Sequence, residues 1–487
     1  MRPFFEAHNE ARVSGKERRL VSLILYLCVS VFICGLTSSL AQERVDLLIS
    51  GGTVVTMDAQ RRVIEDGAVA VRGEAVLAVG KRETLESGYT AARRIDARGK
   101  LVMPGLINGH THAAMTLFRG IADDMNLQDW LTKFIFPAEA RNVTEDFVTA
   151  GTSLGVLEMI HGGTTTYVDM YYFEDAVARA TKAAGMRGVL GETLLDFPAP
   201  DNKTMSAALA YTESFLKRWK GDPLIHAAAA PHSIYTASEP TLRSAANLAR
   251  KYQAPIVIHV SETKKELDDS RTKNGASPVA YLDRIGLLGP DVIAAHCVWV
   301  DAADIALLAK KNAGCVHNPS SNMMLASGVA PVGEMLAAHL AVGLGTDGPA
   351  GSNNDLDMME EMDLAAKLQK ISRKDPQALG AMQAIEMATS LGARAIHMEK
   401  EIGSLEAGKK ADLIILDLDA PHSVPLYNLY SQIVYALKAS DVRTVVIAGR
   451  TVMENRRVLT LDEPAIRSKA RDYAEQVKKS LMGTALK

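Results

Sequence analysis

Eight short apolar segments separated by helical stretches constrain the fold of this 487-residue chain more than any other feature. None shows the polar–apolar alternation of a strand with one face in water, so each is expected to be buried on both faces, as in a parallel sheet. The segments are LVMPGLING (101–109), GTTTYVDM (163–170), MRGVLGET (186–193), LIHAAAAPH (224–232), APIVIHVSE (254–262), DVIAAHCVWV (291–300), AGCVHNPSS (313–321) and AVGLGTDG (341–348).

Helical stretches such as TEDFVTAGTSLGVLEMI (144–160) and EPTLRSAANLARKY (239–252) lie between these segments. Eight alternating strand–helix units predict an α/β fold with a TIM-type (β/α)8 barrel over residues 105–400. An open doubly wound sheet is the alternative, but no GxGxxG motif follows the first strand to support it. The barrel is therefore the preferred interpretation, and a functional site is expected at the carboxyl ends of its strands.

Two β-rich segments flank the predicted barrel. Residues 44–104 include VDLLISGGTVVTM and GAVAVRGEAVLAVG, in which glycine-containing turns separate β-branched runs. A similar β-rich pattern occurs within residues 401–460, in ADLIILDLD and VRTVVIAGRTVM. We predict one small β-sandwich domain built from both chain ends, followed by a C-terminal helix over residues 464–482.

The first 41 residues have the features of a secretory signal peptide. Lys16, Arg18 and Arg19 precede the apolar run LVSLILYLCVSVFICGL (20–36), and Ala41 provides a small residue for cleavage. An uncleaved N-terminal membrane anchor is the alternative, but the apolar run is short for a bilayer span. We expect an exported, periplasmic protein with no stable membrane insertion once the signal is removed.

Charge and cysteine content limit the classes of partner and of metal site. A formal net charge of −3 without a long basic run argues against nucleic-acid binding and predicts a small-molecule partner. The sequence is compatible with a homo-oligomer. No CxxC motif occurs, which excludes most structural zinc sites. Cys297 and Cys315 fall in predicted buried strands, where two free thiols are expected rather than a disulfide.

Polar residues collect at the carboxyl ends of the predicted barrel strands. His110 and His112, in GLINGHTHAAM (105–115), are two residues apart and so point to the same side of their strand. With His259 and Asp347 they offer three imidazoles and one carboxylate, which suit one divalent metal ion, Zn²⁺ or alternatively Fe²⁺. For the first two histidines alone, a hydrogen-bonded structural pair is the alternative. No lysine ends the fourth strand, which argues against a second ion bridged by a carbamylated lysine.

Two more residues at strand ends are candidates for proton transfer beside this metal. Glu262 lies three residues past His259 and is interpreted as the general acid/base, with a first-turn helix carboxylate as the alternative. His296 ends the sixth strand and would polarise a water with Asp347; a hydrogen-bonded core histidine is the alternative. The metal would lower the pKa of that water to about 7. The other histidines after residue 41 that do not end a strand are expected to be structural: His161, His226, His339, His397 and His422.

The ordered set of motifs resembles the amidohydrolase superfamily and, within it, the methylthioadenosine/S-adenosylhomocysteine deaminases. The resemblance covers residues 45 to about 455 and is carried by PGLINGHTHAAMTLFRG, GTTTYVDMYYF, APHSIYTAS, HVSET, HNPSSNMMLASGVAPV, LGTDGPAGSNNDLDMMEEM and IGSLEAGKKADLIILDLDAPHSVP. It implies a barrel enzyme, a hydrolase that acts on the C–N bonds of cyclic amidines.

The resemblance also implies roles for individual residues. Four match the metal ligands of the family: His110, His112, His259 and Asp347. Glu262 matches the residue that contacts the purine and moves protons, and Asp347 also faces the substrate. Glu139 and His232 match substrate-binding positions. Glu139 is expected to hold the ribose hydroxyls, although its position would also suit a carboxylate on a helix surface.

The implied reaction is hydrolytic deamination of an adenine nucleoside, with methylthioadenosine, S-adenosylhomocysteine or adenosine as substrate. Water adds at C6 while Glu262 protonates N1, His296 and Asp347 relay the second proton, and ammonia leaves to give the inosine derivative. Another mononuclear amidohydrolase, acting on guanine or a triazine, is the alternative. Such an enzyme shares the metal ligands but not the pair Glu139 and His232.

Two features depart from the family pattern. After the third strand the family usually carries an arginine that can serve the amino-acid tail of S-adenosylhomocysteine, and this chain has Glu192 there. A carboxylate at that point would repel the carboxylate of the tail, so we expect the homocysteinyl substrate to be disfavoured. The export signal is the second departure, since family members are expected in the cytoplasm.

Overall fold

A computed structural model of the chain describes residues 42–482. The N-terminal part forms a meander of strands rich in β-branched residues, with one short helix, α1 (Arg82–Gly88), between the third and fourth strands. The strands are β1 (Glu43–Val55), β2 (Val63–Arg72), β3 (Ala75–Lys81), β4 (Tyr89–Asp96) and β5 (Lys100–Pro104).

The centre of the molecule is a sheet of eight parallel strands, which confirms the predicted TIM-type barrel. All eight apolar segments contribute a strand, and their side chains are buried because helices cover the outside while the inner side chains fill the barrel. The strands are β6 (Leu106–Thr111), β7 (Thr164–Tyr171), β8 (Arg187–Leu194), β9 (Ile225–Pro231), β10 (Ile256–Val260), β11 (Val292–His296), β12 (Gly314–His317) and β13 (Ala341–Leu344).

The strands pair in chain order, and the barrel is nearly closed between its first and last strands. Thr111 at the end of β6 forms an isolated parallel bridge with Asp347, just beyond β13. The N–H of Asp347 donates to the carbonyl of His110 at 3.0 Å. This closure brings residues from the two ends of the barrel sequence side by side at the carboxyl edge.

Helices connect successive barrel strands and pack around them. They are α2 (Leu127–Asp129), α3 (Phe136–Asn142), α4 (Glu145–His161), α5 (Glu174–Ala184), α6 (Met205–Arg218), α7 (Glu239–Tyr252), α8 (Lys264–Asn274), α9 (Pro278–Arg284), α10 (Ala302–Lys311), α11 (Pro319–Met324), α12 (Val332–Ala337), α13 (Met358–Arg373), α14 (Ala381–Ala388) and α15 (Ser390–Ala395). A 3₁₀ helix, Ala113–Phe118, follows β6, and a π-helix, Trp130–Ile135, joins α2 to α3. Polar side chains cap several of the helices at their N-termini, as Asp301 does for α10.

The C-terminal part returns to the first sheet. The strand β14 (Leu413–Asp417) precedes the short helix α16 (Leu429–Ser431) and a π-helix, Gln432–Ala436. Three more strands follow: β15 (Val442–Ile447), β16 (Arg450–Glu454) and β17 (Arg457–Val458). These strands complete one mixed nine-stranded sheet in the order β17-β16-β15-β14-β5-β1-β2-β3, with β4 also pairing with β1. The small β domain is thus built from both chain ends, as predicted.

The segment LVMPGLING, predicted as a single strand, divides between the two sheets. Lys100–Pro104 pairs with β14 in the mixed sheet, whereas Leu106–Thr111 starts the barrel. The chain turns at Gly105, where a Cβ atom would lie 2.1 Å from the side chain of Thr165. Gly105 therefore packs directly against β7 where the chain passes from the mixed sheet into the barrel.

The last helix, α17 (Glu463–Met482), packs against α4 on the barrel. Tyr473 lies on its buried side and contacts Phe147 edge to face, with ring centroids 5.4 Å apart. No helix within residues 42–482 is long and apolar enough to cross a membrane. The predicted signal peptide, residues 1–41, lies outside the described residues.

Candidate active site

The carboxyl edge of the barrel brings together the predicted metal ligands. His110 and His112 come from β6, His259 from β10, and Asp347 follows β13. One ligand atom of each of the four lies within 4.8 Å of all the others, and no other group of this kind occurs in the described chain. The parallel arrangement of the strands places these side chains at one end of the barrel, as the sequence pattern requires.

Backbone carbonyls orient two of the three imidazoles. Nδ1 of His112 lies 2.5 Å from the carbonyl oxygen of Met170, and Nδ1 of His259 lies 2.8 Å from that of His232. A ring whose Nδ1 donates its proton to a carbonyl leaves Nε2 unprotonated and available to a metal. The carbonyl contacts therefore select the tautomer that a ligand histidine needs.

The remaining donors also fit a divalent metal ion. Both ring nitrogens of His110 are buried and lack a hydrogen-bond partner among the described residues. Oδ1 of Asp347 lies 3.3 Å from Nε2 of His110 and 3.2 Å from Nε2 of His112, and its Oδ2 accepts a hydrogen bond from Ser321 at 2.7 Å. An orphaned buried imidazole beside a held carboxylate is the arrangement expected of a zinc-type site with three nitrogens and one oxygen.

Glu262 and His296 lie next to this cluster, as the sequence pattern predicts. Oε2 of Glu262 is 3.9 Å from Nε2 of His296. Burial raises the pKa of Glu262 well above its usual range, which favours the protonated form of its carboxyl. Burial lowers the pKa of His296, which favours its neutral form. Its Nδ1 lies 3.1 Å from Oδ1 of Asn322 and 3.3 Å from Nδ2 of Asn318. The pair therefore offers one acid and one base side by side.

A cavity opens beside the cluster, and all four residues predicted to contact the substrate line it: Glu139, His232, Glu262 and Asp347. Glu139 on α3 is buried, which raises its pKa to about 7. The hydroxyls of Tyr171 and Tyr172 donate to its two carboxyl oxygens at 2.8 and 3.3 Å. His232 forms another part of the wall, and burial lowers its pKa to about 3, so its ring is neutral.

One part of the cavity wall is apolar. It is formed by the segment just before Glu139: Leu127, Trp130, Leu131, Ile135 and Phe136. No lysine or arginine lines the cavity within the described chain. The wall therefore offers contact area to an apolar group but no partner for an anion.

Glu192, expected to repel a substrate carboxylate, does not line the cavity. Its side chain is fully buried, and its carboxyl oxygens accept from the N–H of Glu174 and the Nδ2 of Asn202, each at 3.1 Å. The next residue, Thr193, faces the cavity instead, because neighbouring residues of a strand point to opposite sides. Direct repulsion by Glu192 is therefore wrong as an explanation of substrate choice.

The histidines expected to be structural lie away from the cavity. His161 contacts Glu463, His397 contacts the carbonyl of Val292, and His422 contacts Asp441. His317, which ends the seventh strand, is also buried outside the cavity.

Cys297 and Cys315, the two cysteines within residues 42–482, are free thiols, as expected, with Sγ atoms 3.1 Å apart. Cys315 lies in β12, whereas Cys297 follows β11 directly and is not within the strand.

The sequence pattern did not single out several residues that shape the site. Tyr171 and Tyr172 hold Glu139, and Ser321 holds Asp347. The tyrosines end the second barrel strand, so the rule that function gathers at strand ends could have found them. Ser321 lies four residues beyond its strand, and no comparable signal marks it.

Known proteins resemble this chain in sequence over most of its length. The model of the amidohydrolase family matches residues 101–452 of the chain. The chain is 49% identical over 439 residues to 5-methylthioadenosine/S-adenosylhomocysteine deaminase 1 of Syntrophus aciditrophicus (strain SB), covering 90% of this chain and 99% of the relative. It is 43% identical over 434 residues to 5′-deoxyadenosine deaminase of Methanosarcina acetivorans, covering 89% and 98%.

Solved structures show the same architecture. An adenosine deaminase from Xanthomonas campestris with bound zinc superposes with a TM-score of 0.88 at 38% identity, covering 90% of this chain and all of that one. Atrazine chlorohydrolase from Arthrobacter aurescens TC1, complexed with zinc, superposes with a TM-score of 0.81 at 24% identity, covering 88% of this chain and all of that one. The second likeness shows a common fold alone.

Proposed function

The chain belongs to the amidohydrolase family, and from this premise we propose that it is a metal-dependent hydrolytic deaminase of adenine nucleosides. The observation that carries the proposal is the meeting of a three-histidine, one-aspartate cluster with Glu262, His296 and Glu139 on the wall of one cavity at the carboxyl edge of the barrel. Relatives named as deaminases of methylthioadenosine, S-adenosylhomocysteine and 5′-deoxyadenosine support it.

The metal would be held by the four clustered residues: His110, His112, His259 and Asp347. We propose Zn²⁺, with Fe²⁺ as the alternative, since imidazole nitrogens and a carboxylate suit both ions. The bound ion supplies an acidified water, with a pKa of about 7, as the nucleophile. The donor set and the zinc in the Xanthomonas structure support this choice.

Side chains of the protein transfer the protons in the proposed reaction. Glu262 donates its proton to N1 of the adenine ring as C6 becomes tetrahedral, and the first proton of the water returns to its carboxylate. His296 accepts the second proton of the water together with Asp347, and passes it to the departing amino group. The products are ammonia and the inosine derivative.

Glu139 is proposed to bind the ribose. Its carboxyl faces the cavity between two tyrosine hydroxyls, and a carboxylate can accept from both the 2′- and 3′-hydroxyls of a nucleoside. With C6 at the metal cluster and the ribose at Glu139, the 5′ end points to the apolar wall. His232 lies on the side wall beside His259 and contacts the purine.

The apolar wall favours a neutral 5′ group, as in methylthioadenosine or 5′-deoxyadenosine. The carboxylate of S-adenosylhomocysteine would lose its hydration without meeting a cation on the described cavity wall, which costs several kcal/mol for an unpaired charge. We expect kcat/KM for methylthioadenosine to exceed that for S-adenosylhomocysteine by about tenfold or more. 5′-Butylthioadenosine, a long but uncharged analogue, separates charge from length: it should resemble methylthioadenosine.

An ammonia-release assay across substrate classes tests the proposed function. The panel contains adenosine, methylthioadenosine, 5′-deoxyadenosine, S-adenosylhomocysteine, guanine and a triazine. Ammonia should come from the adenine nucleosides with neutral 5′ groups and only slowly from guanine or the triazine. Preference for guanine or the triazine would replace the proposal with the alternative heterocycle hydrolase.

We propose in addition that the enzyme is exported and starts at Gln42 after cleavage following Ala41. The support is the order of positive residues, apolar run and small residue at the N-terminus. Fractionation of cells expressing the full chain, followed by N-terminal sequencing, tests this. A cytoplasmic protein that keeps residues 1–41 would contradict it, and a membrane-bound full-length protein would favour the anchor.

A further inference from the structure

A buried carboxylate outside the cavity contacts the loop that carries Glu262. Glu266, the third residue of α8, is 4% exposed and does not line the cavity. Its Oε1 accepts the N–H of Ser261 at 3.0 Å, and its Oε2 accepts the N–H of Glu262 at 2.8 Å. Both oxygens of one side chain thus hold two successive backbone groups.

The loop held in this way has an unusual backbone. Ser261 has a φ of +53°, in the left-handed region, which costs a non-glycine residue about 1–2 kcal/mol. Ser261 and Glu262 are buried, so their N–H groups need partners inside the protein. Thr263 accepts the N–H of Glu266 at 3.2 Å and so joins the loop to the start of α8. The carboxylate of Glu266 therefore stabilises a backbone conformation that the sequence alone disfavours.

The Glu262 carboxyl has little else to orient it. No hydrogen bond joins it to another side chain of the described residues, and Nε2 of His296 is 3.9 Å away. Its direction follows from the backbone at Ser261 and Glu262. We propose that Glu266 is a positioning residue for the deamination, which fixes this backbone and thereby aims the Glu262 carboxyl at the substrate. The proposal rests on the proposed function, in which Glu262 moves the proton.

The variant Glu266→Gln tests this with little change of size. An amide has one acceptor atom instead of two, so one of the two N–H groups loses its partner. Because a displacement of about 1 Å can lower a rate about 100-fold, kcat for methylthioadenosine should fall at least about tenfold. KM should change less than about threefold, since the groups that bind the ribose are untouched. Metal content should stay equal to that of the wild type.

Asp304→Asn is the matched control. Asp304 is also the third residue of a helix, α10, is also 4% exposed, and accepts from the N–H of Asp301 and the hydroxyl of Ser277. It does not contact the Glu262 loop, so its variant should lower the unfolding temperature but leave kcat unchanged. A kcat within about twofold of wild type in Glu266→Gln, or equal losses of kcat in both variants, would overturn the proposal.

Amide hydrogen exchange measures how firmly the same loop is held, and it needs no substrate. In Glu266→Gln the amides of Ser261 and Glu262 should exchange at least about tenfold faster than in the wild type, since one or both lose a buried acceptor. Unchanged exchange there contradicts the proposal even if activity falls. A wild-type protein that releases no ammonia from any adenine nucleoside would instead reject the proposed function, while the exchange result still decides what Glu266 holds.

Discussion

At the residue scale, hydrogen bonds to ring nitrogens and carboxyls decide what each polar group in the site can do. The carbonyls of Met170 and His232 fix the tautomers of two imidazoles, and Ser321 holds one oxygen of Asp347. Glu262, without such a partner, has its pKa set by burial. In this site, hydrogen bonds thus orient candidate metal ligands, whereas the carboxyl of Glu262 has no such bond.

Replacement of that acid should separate chemistry from metal binding. Glu262→Gln keeps the shape of the side chain but cannot donate an acidic proton, so kcat should fall by about 10²–10⁴ or more. Metal content should stay at about one ion per chain, because Glu262 is not among the clustered ligands. Steady-state kinetics and metal analysis of the same sample check both. If the variant kept nearly full activity, Glu262 would not be the acid of the reaction.

The ribose contact can be tested with a modified substrate. Glu139→Gln should lower kcat/KM for methylthioadenosine by about 10- to 100-fold, the usual loss for a charged hydrogen-bond acceptor. The same variant should lose little on an analogue without the 2′- and 3′-hydroxyls. Equal losses on both substrates would show that Glu139 acts elsewhere than on the ribose.

The residues that sequence reasoning could find share one property: their position follows from strand periodicity. His110 and His112 point the same way because they are two residues apart, and the barrel places His259 and Asp347 near them. The contacts of Tyr171 with Glu139 depend on how α3 packs over the barrel, which no local pattern encodes.

At the element scale, the barrel depends on close approaches between strands and the helices outside them. Gly314 starts β12, and a Cβ atom there would lie 1.8 Å from the carbonyl oxygen of Ala395 in α15. The eight strands themselves were predictable, because apolar runs buried on both faces have a clear signal. The division of LVMPGLING was not, because Lys100–Pro104 pairs with β14, which lies far away in the sequence.

Two glycine substitutions test this packing. Gly314→Ala should destabilise the protein by about 1–3 kcal/mol or more, because strand and helix must move apart. Gly333→Ala is the control: the glycine is in α12, and a Cβ atom there would have no atom of the described chain within 4 Å beyond its own helix, so alanine should be neutral or stabilising by up to about 1 kcal/mol. Thermal unfolding measures both. Equal unfolding temperatures for the two variants would contradict the close approach.

At the scale of the whole molecule, a buried ion pair joins the barrel to the mixed sheet. Nε of Arg187 on β8 lies 2.9 Å from Oδ2 of Asp412, with both side chains almost fully buried. Asp412 also accepts the N–H of Ala448 at 2.7 Å. The partners are 225 residues apart in the chain, so only the assembled fold reveals the pair.

Substitution of either residue of this pair should strongly lower the free energy of unfolding, and the two losses should not be additive. Arg187→Met or Asp412→Leu alone leaves a buried charge without its partner, which costs about 3–5 kcal/mol. The double variant removes both charges and should lose clearly less than the sum. Denaturant unfolding of the four proteins measures the coupling. Purely additive losses would show that the two groups act independently.

The measurement that bears most directly on the whole account is ammonia release from methylthioadenosine by the purified protein before and after metal removal. The protein with about one zinc or iron per chain should release one ammonia for each nucleoside consumed. Chelation should abolish this activity, and stoichiometric Zn²⁺ should restore it. Full activity in metal-free protein, or no ammonia from any adenine nucleoside with the metal bound, would contradict the account.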